Sequence, residues 1–442
     1  MKKTIYTTAS IAALLFAAPA FAQTTPPTFP TTQYSDIDQN GEDNETIVDQ
    51  TGGSEGVSQI DQNGDDNFAS VDQSEDSPGA NSFNVPANTA NINQTGDNSR
   101  ARVEQNSTDA GSNPGNSATI TQNSNGTVQG PNGVPSGFSL NGRIVQNGSE
   151  NTSTIDQSGN PNQPPNDGAG SGVTARNDQT GTNNQSDITQ DVFGQDANPF
   201  TDANVTQDGS DHNSSVRQRG SEALVDVIQN GVNNSSNVSQ GANREMTATV
   251  TQSGSDNESF VDQIARTVTA TVTQSGVGGK SDIDQIAQSR ESTATLVQGG
   301  MGNDNFIEQA NVSAEAMVTQ NGTDNVSDIY QADGSDAMAT VVQNGVDGTS
   351  LVRQSGEMQT ASLTQGGVGN SSEIRQGVDD NDVATPPSSG NVATVTQSTD
   401  DNTSLITQLG LDNTATIDQS ATSGNTSSVM QSGMNNNATV TQ

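Results

Sequence analysis

The sequence predicts an all-β chain: a β-solenoid, or stacked β-arch, of about 16 two-strand rungs, paired parallel and in register as in cross-β amyloid. Three observations predict it. Gln recurs 32 times between Gln39 and Gln442 as the last member of a short motif. An aliphatic residue stands two places before that Gln in 31 of the 32 motifs, and Ala or Ser four places before it in 28. Each motif thus reads small-x-aliphatic-x-Gln, a period of two that suits a strand with one buried face and fits no helix. The links between motifs carry Gly and Asn, which supply the positive φ of sharp turns.

Composition first points elsewhere. Only 28% of the 442 residues are hydrophobic and 3% aromatic, with no Trp and no Cys. A globular domain carries about 45–50% apolar residues, so a large conventional core is excluded, and without periodicity the chain would read as disordered. The net charge of −38 argues against nucleic acid, since phosphate binding needs clustered Lys and Arg. No disulfide can contribute to stability.

Residues 1–22 read as a signal peptide. Lys2 and Lys3 form the positive region, Ile11–Phe16 lies in the apolar region, and Ala20-Phe21-Ala22 is the cleavage site. The apolar run is too short to span a bilayer and no other segment could do so. A short segment, 23–34, precedes the ladder of 35–442, which opens with Gln39, Gln50, Gln62 and Gln73. Pro- and Gly-rich insertions follow, mainly in 74–203 and again in 377–390, with a degenerate strand expected near Thr127-Val128-Gln129. The most regular stretch runs Gln207, Gln218, Gln229, Gln240, Gln252, Gln263, Gln274, Gln285, Gln298, Gln309, Gln320, Gln331, Gln343, Gln354, Gln365 and Gln376. Gln397, Gln408, Gln419, Gln431 and Gln442 close it. All 15 Pro are expected outside the strands, because Pro breaks a central ladder.

In the regular stretch, strands with Ala at the small position (Ala248, Ala270) alternate with strands carrying Ser (Ser259, Ser281). The repeating unit is therefore two strands and two turns. Alone it cannot bury its apolar face; stacked units can. Sixteen rungs would stand about 75–80 Å tall. The expected core aliphatics include Val250, Val261, Val272, Ile283, Val318 and Ile329, and the expected turn residues include Gly254, Asn257, Gly322 and Asn325. Asn is expected inside at the start of many second strands: Asn44, Asn67, Asn151, Asn184, Asn234, Asn257, Asn325 and Asn370. A buried Gln amide is costly unless bonded, but a column of Gln at rung spacing bonds to itself, donor to acceptor.

Ser58-x-Ile60-x-Gln62-x-Gly64-x-x-Asn67-x-Ala69-x-Val71-x-Gln73 resembles the curlin repeat of curli fibre subunits. The resemblance covers nearly all of 35–442. It implies a secreted functional-amyloid subunit of a Gram-negative bacterium, exported through a dedicated outer-membrane channel and polymerised with a nucleator into fibres of the biofilm matrix. Residues 23–34 occupy the place of the family's export-targeting segment. Three departures stand out: about three times the family's usual repeat number, long Pro-bearing insertions, and later units that invert the Ser-then-Ala order seen around Gln62.

The ladder begins at Ser35 and stops on Gln442, so both ends are expected to leave open strands, and head-to-tail self-association is the expected partner mode. The alternative is a monomeric solenoid adhesin or a nucleator subunit. No enzyme and no cofactor are expected. His212, the single histidine, reads as a turn variant rather than a catalytic base. Asp36-x-Asp38-x-Asn40-Gly41 mimics an EF-hand start, but the closing Glu position is Ile47. Outward Asp residues, among them Asp38, Asp49, Asp61, Asp72, Asp156, Asp262, Asp284 and Asp418, are assigned to solubility. Outward Thr pairs such as Thr249/Thr251 suit an ice-binding array, which Val297, Val342 and Ser362 interrupt.

Overall fold

The computed structural model describes residues 6–7 and 33–442 except 52–55, 76–87, 108–114, 125–138, 162–171, 195–199, 221, 242–244, 287–288 and 379–387. The leader's cleavage site, most of the 23–34 segment, most of the insertions and Thr127-Val128-Gln129 lie outside the described residues. Among those described there is no helix.

The alternation of apolar and polar side chains forces strands with one face inward. The chain divides into two units, 1–221 and 222–442. In each, successive motifs go alternately to two sheets, so that motif n pairs with motif n + 2. One sheet carries mostly Ala at the small position and the other mostly Ser. In the first unit the Ala sheet has six motif strands, from Glu45–Thr51 to Thr201–Ser210, and Tyr6–Thr7 also pairs with its first strand. The Ser sheet has seven, from Tyr34–Asn40 to Asn213–Arg219. The second unit has ten Ala-sheet strands, from Ala223–Val232 to Asn437–Thr441, and nine Ser-sheet strands, from Ser235–Gln240 to Thr426–Met434.

Every pairing between motif strands is parallel, and like residues stand opposite like. Ala248, Val250 and Gln252 face Ala270, Val272 and Gln274; Ser259, Val261 and Gln263 face Ser281, Ile283 and Gln285. In the first unit Ile60 and Gln62 face Ile92 and Gln94. The sheets stack face to face without closing into a barrel: a β-solenoid. Between them lies a narrow core. Val250, Val272, Ile283, Val318 and Ile329 are fully buried, and Val261 nearly so. Complete burial of such a side chain stabilises by about 1.5–3 kcal/mol, and here it recurs once per strand.

The structure corrects three sequence expectations. At the turns positive φ falls on Gly254 and on the residue before the Asn, Asp256 and Asp324, and not on Asn257, Gly322 or Asn325. Pro161 is not outside a strand: it ends Thr152–Pro161, opposite Gly194. At a strand terminus its missing N–H removes no interior ladder bond. The inward Asn residues do not form one set either. Asn44 and Asn67 lie at the corner leading into the Ala sheet, whereas Asn151 and Asn184 lie at the corner leading into the Ser sheet. The tight Gly turn changes corner within the first unit. Gly41, Gly64 and Gly96 precede Ala-sheet strands; Gly148, Gly181 and Gly209 precede Ser-sheet strands. That shift accounts for the inverted order of later repeats. Sheet membership of Ala and Ser is kept, and only the corner holding the short link moves.

Candidate functional site: the stacking ladders

The anchor Gln side chains are brought together in two columns per unit. In the first unit, Gln39 donates to Gln62, Gln62 to Gln94, Gln50 to Gln73 and Gln73 to Gln105, each through Nε2–H···Oε1 at 2.6–2.8 Å. In the second, Gln229, Gln252, Gln274, Gln298, Gln320, Gln343 and Gln365 form one column at 2.8 Å per step. It continues through Gln397 and Gln419 to Gln442 at 2.9–3.1 Å. Gln240, Gln263, Gln285, Gln309, Gln331, Gln354, Gln376, Gln408 and Gln431 form the other at 2.7–3.0 Å. Gln207 and Gln218 are buried at the end of the first unit's columns. Donation always runs toward the C-terminal rung, so the ladder has a polarity.

One bond per rung uses only one of the two amide hydrogens. The second crosses the core to a backbone carbonyl at the start of a strand in the other sheet. Gln252 reaches Ser235 O at 2.8 Å, Gln263 reaches Thr247 O at 3.0 Å, and Gln320 reaches Asp304 O at 3.1 Å. The side chain that stacks the rungs therefore also ties the sheets together. Sequence reasoning missed this role, because the acceptor lies some 16 residues away with no residue type of its own. Asn177, in an aliphatic place, is fully buried and donates to Ser153 Oγ.

At the corners, Asn does for the turn what Gln does for the strand. Asn67 N–H donates to Asn44 Oδ1 at 3.0 Å, and Asn257 N–H to Asn234 Oδ1 at 3.1 Å. Asn325 receives Gly348 N–H at 2.9 Å and donates its own N–H to Asn303 at 3.0 Å. Asn116, Asn303, Asn391, Asn402 and Asn413 join these columns unannounced by the sequence reading. Where the corner into the Ala sheet lacks Asn, apolar residues fill some places, Leu140 and Val173 with Val192, and Ala223, Met246 and Val268 with Ala265, and buried polar residues fill others, Thr201, Ser292 and Gln359. His212 takes a place in the Asn column. It is 1% exposed, its N–H donates to Asn184 Oδ1 at 3.2 Å, and its ring Nε2 lies 3.3 Å from Asp208 O.

Gly is required at the turn by the neighbouring rung. A Cβ on Gly254 would lie 2.2 Å from Gly276 O, and one on Gly322 would lie 1.7 Å from Gly345 O. Small-x-aliphatic-x-Gln strands, a Gly that admits the next rung's carbonyl and an Asn that caps it together form a repeat made to bind its own copy. A family model for the curlin-associated repeat matches residues 247–276, 313–345 and 410–442. Over these three stretches the chain is similar to the curlin-associated repeat. No curated protein matches the chain.

The outer faces of the rungs carry charge at the same spacing as the core carries Gln. Asp38 stands opposite Asp61, Asp49 opposite Asp72, and Asp262 opposite Asp284, which in turn faces Glu308. Burial raises the Asp61, Asp72 and Asp156 carboxyls above the ordinary range. Asp284 is pushed up to about 6, by burial first and then by Asp282, Asp262 and Glu308. Asp36 and Asp38 lie on the extended strand Tyr34–Asn40, which leaves no loop for an EF-hand. Among the described residues no group of three His, Cys, Asp or Glu could hold a metal, and no helix is long and apolar enough to cross a membrane.

A pH dependence follows. The folded Asp284 keeps its proton up to about pH 6, whereas the unfolded side chain releases it near 3.8. Its stabilising contribution is full below pH 3.8 and is lost as pH rises through 6. Because the side chain is half-exposed, solvent screening limits the effect to about 1 kcal/mol. Urea unfolding should show a more stable stack at pH 4.5 than at pH 7.5. Asp284→Asn should raise the neutral-pH midpoint and flatten that slope; an unchanged slope would refute the assignment.

Proposed function

We propose that this chain is a secreted structural subunit that self-assembles into extracellular, curli-like functional-amyloid fibres, serving the biofilm matrix, adhesion and aggregation. In this reading the leader of residues 1–22 directs export from a Gram-negative cell. The 23–34 segment engages a curli-type outer-membrane channel, and a nucleator starts growth at the cell surface. The observation that carries the reading is the parallel, in-register stack of like residues with a polar Gln ladder. Each rung offers amide hydrogens on one side and amide oxygens on the other. A rung of one copy can therefore accept a rung of the next as it accepts its own neighbour.

The test is time-resolved electron microscopy of the mature chain with and without preformed seeds, followed by fibre diffraction. Seeds should abolish the lag, and the fibres should give reflections near ~4.7 and ~10 Å. A chain that stays monomeric for days at high concentration would overturn the reading in favour of a solenoid adhesin.

A further inference from the structure

The two outer faces of the second unit differ in charge. Each strand presents three outward positions: before the small residue, between it and the aliphatic, and between the aliphatic and Gln. On the ten Ala-sheet strands these make thirty residues, of which only Asp226, Glu315 and Asp418 are charged. On the nine Ser-sheet strands eleven of twenty-seven are charged, among them Asp262, Asp282, Asp284 and Glu308. The Ala-sheet face instead carries in-register rows of Thr, such as Thr249, Thr271 and Thr295, and exposed apolar side chains. Leu224, Val297, Met317, Met338 and Val392 are each 37–44% exposed.

We propose that this face is an interface with a second copy of the chain, packed Ala sheet against Ala sheet. Three arguments single out that occupant. A chain of net charge −38 repels its own copies wherever carboxylates meet, and this face is the broad surface of the unit where two copies approach with almost none. Both partners present rows at the same rung spacing, so Thr, Val and Met side chains can interdigitate as in a dry steric zipper, the sheets about 10 Å apart. The size is sufficient: ten strands by six residues is roughly 45 Å by 20 Å. Pairing would bury about 1,800 Å² in total, inside the ~1,200–2,000 Å² range of stable interfaces. The contact is lateral and does not depend on end-to-end stacking, so it stands or falls apart from the fibre reading.

The absence of Cys makes the test clean, since any introduced thiol is unique. Single variants Thr295→Cys, Thr340→Cys and Thr394→Cys place a thiol on the Ala-sheet face; Thr349→Cys and Thr403→Cys place one on the Ser-sheet face. The full mature chain, soluble and after incubation, is treated with a short bis-maleimide. At least one Ala-face thiol should give inter-chain adducts about a hundredfold faster than either Ser-face thiol, reflecting a local concentration near millimolar. Equal rates on both faces, or no adduct from any Ala-face thiol in either state, would overturn the proposal. That result would leave the face to a non-protein surface such as ice. A second variant, Thr271→Lys/Thr340→Lys/Thr394→Lys, should halve the mass per length of any filament while leaving its ~4.7 Å reflection intact. An unchanged mass per length would also overturn the proposal.

Discussion

Gln274→Leu should destabilise the second unit by about 2–5 kcal/mol, although Leu matches Gln in size and is more apolar. Gln274 Oε1 accepts Gln252 Nε2–H at 2.8 Å, and its own Nε2 donates to Gln298 Oε1 at 2.8 Å and to Glu258 O and Gly279 O at 3.0 Å. Leu would leave one Gln252 hydrogen and the Gln298 oxygen buried without partners, each costing about 1–3 kcal/mol. The gain from burying a more apolar side chain is smaller than that. Two controls isolate the cause. Thr273→Leu, one residue away and facing outward, should stay within about 0.5 kcal/mol. Gln442→Leu should have little effect, because that exposed side chain is tied only through Gln419, at 3.1 Å. Urea unfolding monitored by circular dichroism reads all three. A Gln274→Leu chain as stable as the parent would show that the amide ladder contributes nothing net.

The second large effect is expected for Gly322→Ala. Gly322 has no positive φ, so Ala meets no backbone penalty there. The obstacle is the next rung: the new methyl would sit 1.7 Å from Gly345 O and 2.6 Å from Asn325 Nδ2. The Gly345 carbonyl cannot simply retreat, since it accepts Thr323 N–H at 3.1 Å and Asn325 Nδ2 at 3.0 Å. Both bonds must break or the two rungs must separate locally, at a cost of about 3 kcal/mol or more. Gly172→Ala is the matched control, because a Cβ there meets nothing within 4 Å. It should leave stability within about 0.5 kcal/mol. If the two variants behave alike, the close approach of stacked turns is not what requires Gly.

Much of the architecture is legible along the chain, because a period of two and a repeat of 11 or 12 residues leave few ways to bury Val250, Gln252 and their counterparts. The Gln columns, the aliphatic columns and the Ala/Ser alternation all follow from that register. The corners do not. Asn67 and Asn151 look alike in sequence, yet one caps the turn into the Ala sheet and the other the turn into the Ser sheet. Nothing local distinguishes them; the difference is which link around the rung is short. Asp284 was equally opaque. Its raised pKa comes first from burial and then from Asp282, Asp262 and Glu308, and the last two, 22 and 24 residues away, become neighbours only through stacking.

The sequence by itself determined the rung: which side chains of each strand turn inward, and that a polar chain with so few apolar residues can fold by letting its amides satisfy one another. This is a property of spacing, and spacing is written in one dimension. Tertiary structure alone decided how the rungs use that spacing. It set the direction of the Gln chain, the second amide hydrogen's path to the opposite sheet, the corner each Asn occupies, and the separation of an uncharged face from a charged one. Those depend on residues brought within a few ångströms by parallel strand pairing, and that proximity has no counterpart in the order of residues along the chain.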